Sequence, residues 1–565
     1  MTDLDVTTSF AVTLVDEWVR CGVTAAVVSP GSRNTPLTLA LVRDGRMRVD
    51  VVLDERSAGF RALGVGLATG RPAIVCCTSG TAAANLHPAV VEAHHARVPL
   101  LVCTADRPAE LRDWGAGQTI DQAGLFGNSV RWFHDPGPPE AGAGGPTTNA
   151  RWRALACRAV AQASGPPAGP VHLNLPFREP LVPTGAPLLD TPGRPQGAPW
   201  IRNAPAPREA PSDVAARLAV LVRDHPRGLL VAGWGAGVDP EVADRFADTA
   251  GWPILADPLS QARAGSHTIS TYEALLRSEP FAGANRPDLV VRVGAPLTSK
   301  IANAWLAGVP TVLVDPDDAW LDPEHGAHER IAAEGQLLLV AVAEQLVPPD
   351  SGAWPAAWRA AEEHARHALD GVIDDDVACE GRIARDVAAA VPDGGVLVVA
   401  SSLPVRALEW CMAPRDGLRV LANRGANGID GFASTVVGVA SAHAGPVVAL
   451  CGDLCFLHDT NGLLGGSLPA VTFVVVDNDG GAIFSYLPQH DLPEFERLFA
   501  TPQSVDLVAV ARAHGVTAER VEAADLPKLV AEATESARVL VVTVDRGRAR
   551  ELHSRAWLAV ATALA

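Results

Sequence analysis

The sequence predicts an α/β protein with three tandem, doubly wound parallel-sheet domains, and three observations lead to this prediction. The chain has 565 residues, which is enough for three or four domains of ordinary size. Short apolar runs of strand length alternate with longer segments of helical periodicity, as in β-α-β units around a parallel sheet. Stretches rich in proline and glycine divide this alternation into blocks.

The first block shows the alternation from its start. Leu14 and Trp18 recur at helical spacing and Gly22 follows as a stop signal, which predicts an opening helix. Apolar runs then predict the strands of the first and third blocks, at 23–29, 48–54, 73–79, 99–105, 396–401, 418–423, 446–452, 471–477 and 538–544. The middle block contributes the strand-like runs GLLVAGWG, DLVVRVG and PTVLVDP.

The domain boundaries follow from two breaks in composition. The stretch 183–212 is long and rich in Pro and Gly, which is typical of an interdomain linker, and 347–358 marks a second break. The predicted division is a first domain at 1–185, a linker at 186–212, a middle domain at 213–346 and a third domain at 360–565.

Charge and cysteine content exclude several functions. Lys and Arg number 46 and Asp and Glu 64, so the formal net charge is −18, and we expect no binding to nucleic acid or to a membrane. The nine cysteines show no CxxC spacing, which indicates the reduced thiols of a cytoplasmic protein. No apolar run approaches the roughly 18 residues of a membrane span. The acidic run at 315–329 predicts a solvated loop.

Two motifs at strand ends indicate where chemistry takes place, because ligands of parallel sheets bind at the carboxyl ends of the strands. Asp453 follows the apolar run 446–452, and Asn478 follows the run 471–477, ahead of Gly480. A carboxylate, a carboxamide and a glycine carbonyl are oxygen ligands that suit Mg²⁺ beside a diphosphate. Each motif alone is an ordinary turn. As a pair on consecutive strands they predict a metal–diphosphate site.

This pair resembles the cofactor signature of the thiamine diphosphate enzyme family, from which it departs at Leu454 and Asp477. The resemblance implies a pyrimidine-binding first domain, a middle domain and a diphosphate-binding third domain. It also implies Mg²⁺ or Mn²⁺ held by Asp453, Asn478 and Gly480. The implied cofactor-binding residues of the third domain are Ile429, Gly452, Asp453, Leu454, Asn478, Gly480, Gly481, Ile483 and Phe484.

The same family needs a glutamate after an early strand of the first domain, and Glu55 fits at the end of the run 48–54. The resemblance implies that Glu55 is catalytic: its carboxyl would hydrogen-bond the pyrimidine ring of the cofactor and promote its activation. The alternative is a surface salt bridge among Asp54, Glu55 and Arg56.

A narrower resemblance rests on several motifs in consistent order: PGSRN at 30–34, DERSAGF at 54–60, TSGTAAAN at 78–85, NRGANGIDG at 423–431 and NDGGAIFSYLP at 478–488. Together they resemble the family of 2-succinyl-5-enolpyruvyl-6-hydroxy-3-cyclohexene-1-carboxylate (SEPHCHC) synthases of menaquinone biosynthesis. The members of this family are thiamine diphosphate-dependent transferases. The resemblance implies decarboxylation of 2-oxoglutarate and addition of the four-carbon acyl anion to isochorismate. It also implies a homodimer or homotetramer with active sites at the subunit interface.

Arginines at strand ends support acidic substrates, because guanidinium groups bind carboxylates in bidentate fashion. By resemblance, one set faces isochorismate and a second set faces 2-oxoglutarate. The first consists of Ser32, Arg33, Arg107, Gln118 and Lys300, and the second of Ser402, Arg406 and Arg424. Ile429 would bend the cofactor, and Ile483, Phe484 and Leu487 would wall the pocket, although each is also an ordinary core position. Gly117 and Ile301 depart from the pattern beside the isochorismate set.

Three alternatives remain open at this point. An acetolactate-synthase-like enzyme or a decarboxylase would act on pyruvate, although the arginine set favours dicarboxylates. A nicotinamide-dependent oxidoreductase would use the GWGAG loop at 233–237. A cofactor-free assembly protein could share the fold.

Overall fold

The computed structural model describes residues 4–140, 145–189, 192–317, 319–348, 352–375 and 378–565. In this part of the chain, three sheets of six strands each are parallel throughout, with helices in the connections. The predicted fold class is therefore confirmed. The domain boundaries stay predictions, and residues 190–191 of the predicted linker lie outside the described residues.

The first sheet has the strand order β2-β1-β3-β4-β6-β5. Its strands are β1 (Ala25–Val28), β2 (Arg48–Val51), β3 (Ala73–Cys77), β4 (Leu100–Asp106), β5 (Trp132–His134) and β6 (Pro170–Pro176). Its helices are α1 (Val6–Arg20), α2 (Thr35–Asp44), α3 (Glu55–Thr69), α4 (Thr81–Asn85), α5 (His87–His95) and α6 (Gly145–Ser164). The strands β1, β3, β4 and β6 are buried along their length, because helices cover both faces of the sheet.

The middle sheet has the order β12-β11-β10-β7-β8-β9. Its strands are β7 (Gly228–Ala232), β8 (Ile254–Ala256), β9 (Thr268–Ile269), β10 (Leu289–Val293), β11 (Thr311–Val314) and β12 (Ala327–Ile331). Its helices are α7 (Ser212–Asp224), α8 (Pro240–Ala250), α9 (Tyr272–Leu276), α10 (Glu279–Ala284), α11 (Lys300–Leu306) and α12 (Gly335–Ala343).

The third sheet repeats the topology of the first, with the order β14-β13-β15-β16-β18-β17. Its strands are β13 (Gly395–Val399), β14 (Leu418–Leu421), β15 (Val447–Gly452), β16 (Val471–Asp477), β17 (Thr517–Arg520) and β18 (Ala537–Thr543). The helices are α13 (Ala353–Ile373), α14 (Glu380–Ala390), α15 (Leu403–Cys411), α16 (Phe432–Ala442), α17 (Asp453–His458), α18 (Leu507–Ala513), α19 (Leu526–Ala531) and α20 (Arg546–Ala563).

Helix α13 joins the middle and third domains into one core. Its Trp358 is fully buried and meets Phe281 and Trp305 of the middle domain, with ring centroids 5.1 and 6.0 Å apart. The same apolar cluster continues through the strands of the third sheet to helix α20. No helix in the described ranges combines the length and the apolar character that crossing a membrane requires.

Helices α3 and α16 bring the first and third domains together. A Cβ on Gly64 would overlap the carbonyl oxygen of Thr435, and a Cβ on Gly438 would overlap that of Arg61. The helix backbones therefore touch where both helices carry glycine. Asp459, beside this contact, accepts hydrogen bonds from the backbone N–H of Ser434 (2.7 Å) and from the Ser434 and Ser57 hydroxyls. Burial raises the pKa of Asp459, although these hydrogen bonds act in the opposite direction.

We expect Gly64→Ala to lower the thermal unfolding temperature, because the added methyl group has no space against the backbone of α16. Overpacking of this kind destabilises by about 1–3 kcal/mol. The matched control is Gly371→Ala, since Gly371 lies within α13 and a Cβ there meets nothing within 4 Å. There the change should raise the temperature slightly, because alanine favours a helix by about 1 kcal/mol over glycine. Equal shifts in the two variants would contradict the close contact.

Candidate active site

A cavity of about 270 Å³ lies at the carboxyl ends of β15 and β16 in the third domain. Most of its predicted cofactor-binding side chains come from the loops that follow these strands. The predicted residues that line it are Ser402, Ile429, Gly452, Asp453, Leu454, Asn478, Gly480, Gly481, Ile483 and Phe484. The structure thus brings together one predicted substrate residue and every predicted cofactor residue of this domain. We call this space the cofactor cavity.

Asp453 begins α17 directly after the last residue of β15. Its two carboxylate oxygens accept hydrogen bonds from the backbone N–H groups of Leu454 (2.8 Å) and Gly480 (2.7 Å). Burial raises the pKa of Asp453 to about 6, although these hydrogen bonds lower it. The buried carboxylate therefore lies where a cation would stabilise its charge.

Asn478 follows β16 and is buried beside Asp453. Its Nδ2 donates to Glu380 Oε1 (3.0 Å), whereas its Oδ1 is buried without a hydrogen-bond partner among the described residues. Buried polar atoms are normally satisfied, so an unpartnered carbonyl oxygen calls for a ligand. A carboxylate and an orphaned carboxamide oxygen form an oxygen donor set, and the residues therefore fit a divalent cation of the Mg²⁺ type.

Backbone conformation and close packing both require glycine at position 480, which the sequence alone did not indicate. Its φ is +119°, and an added Cβ would overlap the carbonyl oxygen of Ala500. The segment Glu496–Ala500 thus packs against the turn, and Gly481 N donates to Ala500 O (2.7 Å). This packing fixes the turn that carries Asn478.

Two arginines lie close together next to the cavity. Arg406, on α15, donates through Nη1 to the carbonyl oxygens of Ser401 (3.1 Å) and Ser402 (2.7 Å). Burial lowers the pKa of Arg406, and the nearby charge of Arg424 lowers it further. Neither guanidinium forms an ion pair with an acidic side chain of the described residues. This pair is suited to bind a carboxylate of an acidic ligand.

The loop that carries Arg424 and Ile429 is held by the first domain. Glu92, on α5, is buried, and its carboxylate accepts three backbone N–H groups of this loop. The donors are Gly425 (2.8 Å), Ala426 (2.6 Å) and Asn427 (2.8 Å).

The predicted isochorismate residues of the first domain form a cluster of their own. Arg107 donates to the carbonyl oxygen of Gln118 (2.8 Å), and the Gln118 amide donates to the carbonyl oxygen of Ser79 (3.0 Å). Arg33 is near enough that its charge lowers the pKa of Arg107, after the larger effect of burial. Ser32 is exposed at the same edge, after β1.

Buried polar groups beneath this cluster hold its loops. Asp106, at the end of β4, accepts from Asn174 (2.9 Å) and pairs with Arg112 (2.8 Å). Gln122 donates to Asn174 Oδ1 (2.9 Å) and accepts from the backbone N–H of Gly80 (2.8 Å). These contacts link the ends of three strands to the loop that carries Gln118.

Glu55, Lys300, Leu487 and Arg424 also lie outside the lining of the cofactor cavity. Glu55 was placed at a strand end, but β2 ends at Val51, and Glu55 is the first residue of α3 because Asp54 caps that helix. Glu55 does not line the cavity that contains Asp453. Lys300 is exposed at the start of α11. Leu487 lines a separate cavity with Arg277 and Trp410, and Arg424 lies outside the lining of the cofactor cavity.

Sequence reasoning missed Glu92, Glu380 and Asp106. Glu92 and Glu380 lie in no motif that suggests a ligand, and each contacts a residue distant in the chain. The one available signal was at Asp106, which directly follows the apolar run 99–105 and belongs to the strand-end sequence ADRPAEL at 105–111.

Three family models match the chain in order. The model described as thiamine pyrophosphate enzyme, N-terminal TPP binding domain, matches residues 8–125. The middle domain model matches residues 194–399, and the C-terminal TPP binding domain model matches residues 411–544.

The chain is also similar to curated proteins over nearly its full length. It is 46% identical to the 2-succinyl-5-enolpyruvyl-6-hydroxy-3-cyclohexene-1-carboxylate synthase of Thermobifida fusca, covering 99% of each chain. It is 42% identical to the synthase of that name from Myxococcus xanthus, covering 100% of this chain and 98% of the other. The chain belongs to this synthase family. It is thus a thiamine diphosphate enzyme, and the nicotinamide and cofactor-free alternatives are wrong.

Solved structures agree with the fold. An X-ray structure from Mycobacterium smegmatis, assigned only provisionally as a thiamin diphosphate-dependent enzyme, matches with a TM-score of 0.70. It is 20% identical and covers 96% of this chain and 100% of its own. At that identity the match supports the three-domain fold alone.

We expect Glu92→Gln to loosen the loop at 425–427, because the new amide group presents N–H donors to backbone N–H donors. Each hydrogen bond to a charged group contributes about 1.5–3 kcal/mol. Hydrogen exchange of the peptide containing residues 425–427 should therefore become faster. The control is Glu363→Gln, at an exposed glutamate of α13. Unchanged exchange in Glu92→Gln would show that the carboxylate does not hold the loop.

Proposed function

We propose that this chain makes 2-succinyl-5-enolpyruvyl-6-hydroxy-3-cyclohexene-1-carboxylate from 2-oxoglutarate and isochorismate, with release of CO₂, in menaquinone biosynthesis. Relatives with this name at 46% and 42% identity support the activity. The observation that carries the choice of substrate is the pair Arg406 and Arg424 beside the cofactor cavity, because the proposed donor has a second carboxylate and pyruvate does not.

When bound, thiamine diphosphate supplies the carbon nucleophile for the keto group of 2-oxoglutarate and the electron sink for loss of CO₂. The side chain of Asp453 and the Oδ1 of Asn478 would hold Mg²⁺ or Mn²⁺, together with the backbone carbonyl of Gly480. Ile429, Ile483 and Phe484 would exclude water around the reacting atoms.

The third domain would bind the donor and the first domain the acceptor. Arg406 and Arg424 would bind the distal carboxylate of 2-oxoglutarate, with Ser402 beside them. Arg33 and Arg107 would bind isochorismate carboxylates, aided by Ser32 and Gln118, with Lys300 approaching from the middle domain. The side chain of Leu487 lines a separate cavity, and it would form part of the wall of the cofactor cavity only if it moved out of that separate cavity.

The two sets of residues require a second subunit to meet. Glu55 does not line the Asp453 cavity of its own chain, and the neighbouring Val51 and Leu53 are 60% and 70% exposed. Exposed apolar side chains of this kind favour a protein interface. We therefore place Glu55 of one subunit against the third domain of its partner, in a homodimer or homotetramer. There its carboxyl would hold a proton at the pyrimidine ring nitrogen. The nine cysteines all lie among the described residues and form no disulfide there, which supports a cytoplasmic location.

The direct test is product formation by the purified protein with thiamine diphosphate and Mg²⁺. With isochorismate as acceptor, 2-oxoglutarate should support turnover and pyruvate should not. Faster turnover of pyruvate would overturn the assignment of the donor.

We expect Arg33→Ala and Arg424→Ala to impair different halves of the reaction. If Arg33 binds the acceptor, its loss should leave CO₂ release from 2-oxoglutarate nearly intact. Product formation should then fall roughly 10- to 150-fold, the value of a charged hydrogen bond. Arg424→Ala should already weaken CO₂ release in the absence of isochorismate. Equal impairment of CO₂ release by both variants would show that the substrates are placed wrongly.

We expect the inactive variants Glu55→Gln and Asp453→Ala to restore activity when they are co-expressed. If each site combines Glu55 of one subunit with Asp453 of the other, a mixed dimer has one intact site and one doubly altered site. Random pairing should then give about a quarter of the parent activity. Sites built within one chain would all carry one substitution, so activity no higher than in the single variants would refute the shared site.

A further inference from the structure

Glu380 is a buried carboxylate on the wall of the cofactor cavity that no motif indicated. It is the first residue of α14 and is only 5% exposed. Its Oε1 accepts the Asn478 Nδ2–H at 3.0 Å, and its Oε2 has no partner among the described residues. Burial of a carboxyl group away from water is costly, so a specific task is expected at this position.

The backbone holds Glu380 in a fixed place. The side chain of Cys379 caps α14 by accepting the Arg382 N–H. At Gly381 an added Cβ would lie 2.8 Å from Cys411 Sγ, so α14 packs directly against α15 there. Glu380 therefore projects from a helix start that is fixed on both sides.

A carboxamide side chain can present either of two ends. Rotation by half a turn exchanges the oxygen and the nitrogen of Asn478, and only the oxygen can bind a cation. With its nitrogen donating to Glu380, the Oδ1 of Asn478 is left free beside Asp453, and it is buried and unpartnered there.

We propose that Glu380 is a positioning residue that selects the orientation of Asn478 in which Oδ1 faces the divalent cation. This inference rests on the metal site of the proposed function and adds a residue to it. Groups that orient metal ligands through hydrogen bonds typically change metal affinity 10- to 100-fold when they are removed.

The test measures free Mn²⁺ by electron paramagnetic resonance while the full-length protein is titrated in the presence of thiamine diphosphate. Glu380→Ala removes the acceptor and should weaken Mn²⁺ binding roughly 10- to 100-fold. Glu380→Gln removes the charge but keeps a carbonyl oxygen for Asn478, and its affinity should stay near that of the parent. Circular dichroism and the thermal unfolding temperature confirm that each variant is folded. If Glu380→Gln binds Mn²⁺ as weakly as Glu380→Ala, charge rather than orientation is responsible and the proposal is wrong.

A second background tests the orientation directly. In Asn478→Asp both side-chain oxygens can bind a cation, so no partner is needed to choose between them. Glu380→Ala should then cause no loss of Mn²⁺ affinity in that background. The same loss in both backgrounds would overturn the positioning role.

Failure of the metal site itself would give a different result. Asp453→Ala and Asn478→Ala should both weaken Mn²⁺ binding if the site is assigned correctly. Unchanged affinity in these two variants would refute the metal site, and the role of Glu380 with it. Weakened affinity in these two, combined with full affinity in Glu380→Ala, would refute only the role of Glu380.

Discussion

The arrangement of the active site depends on one carboxylate that crosses between domains. Glu92 belongs to the first domain, yet it satisfies three consecutive backbone N–H groups in the loop that carries Arg424 and Ile429. Without such an acceptor these N–H groups would lack a hydrogen-bond partner, or the loop would have to turn them towards water. The first domain therefore shapes the loop that we propose binds the donor, although its own motif residues are proposed to bind the acceptor and the cofactor ring.

The contact between α3 and α16 sets the geometry on a larger scale. Glycine on both helices lets their backbones touch, and α3 begins with Glu55. Because α3 is fixed against the third domain of its own chain, Glu55 at its start is held away from that domain's cavity. If Glu55 completes the site as proposed, the packing that joins the domains leaves the site of each chain incomplete, which is the physical reason for expecting a partner subunit.

Much of this could be predicted from the sequence, because parallel sheets give strong signals. Buried strands are continuous apolar runs, and polar residues after them mark the ligand edge, so Asp453 and Asn478 could be found without a structure. Edge strands such as Trp132–His134 and Thr517–Arg520 are hard to predict from the sequence, because they are short or polar. The acidic run at 315–329 was expected to be solvated, but Asp315 is buried against Arg97 of the first domain (2.8 Å). Glu92 and Glu380 act over 333 and 98 residues of chain, and no local pattern encodes such pairs.

The charges around the cavity show where stability has been given up for binding. Arg406 and Arg424 repel each other in a partly desolvated setting, and carbonyl oxygens of Ser401 and Ser402 offset this only in part. Asp453 is likewise held as a buried carboxylate among backbone N–H groups. Each group is unfavourable alone, and each is relieved by a ligand of opposite charge. A cation at Asp453 and a carboxylate at the arginines would therefore bind to positions that are already oriented, because the protein has met the cost of orientation during folding.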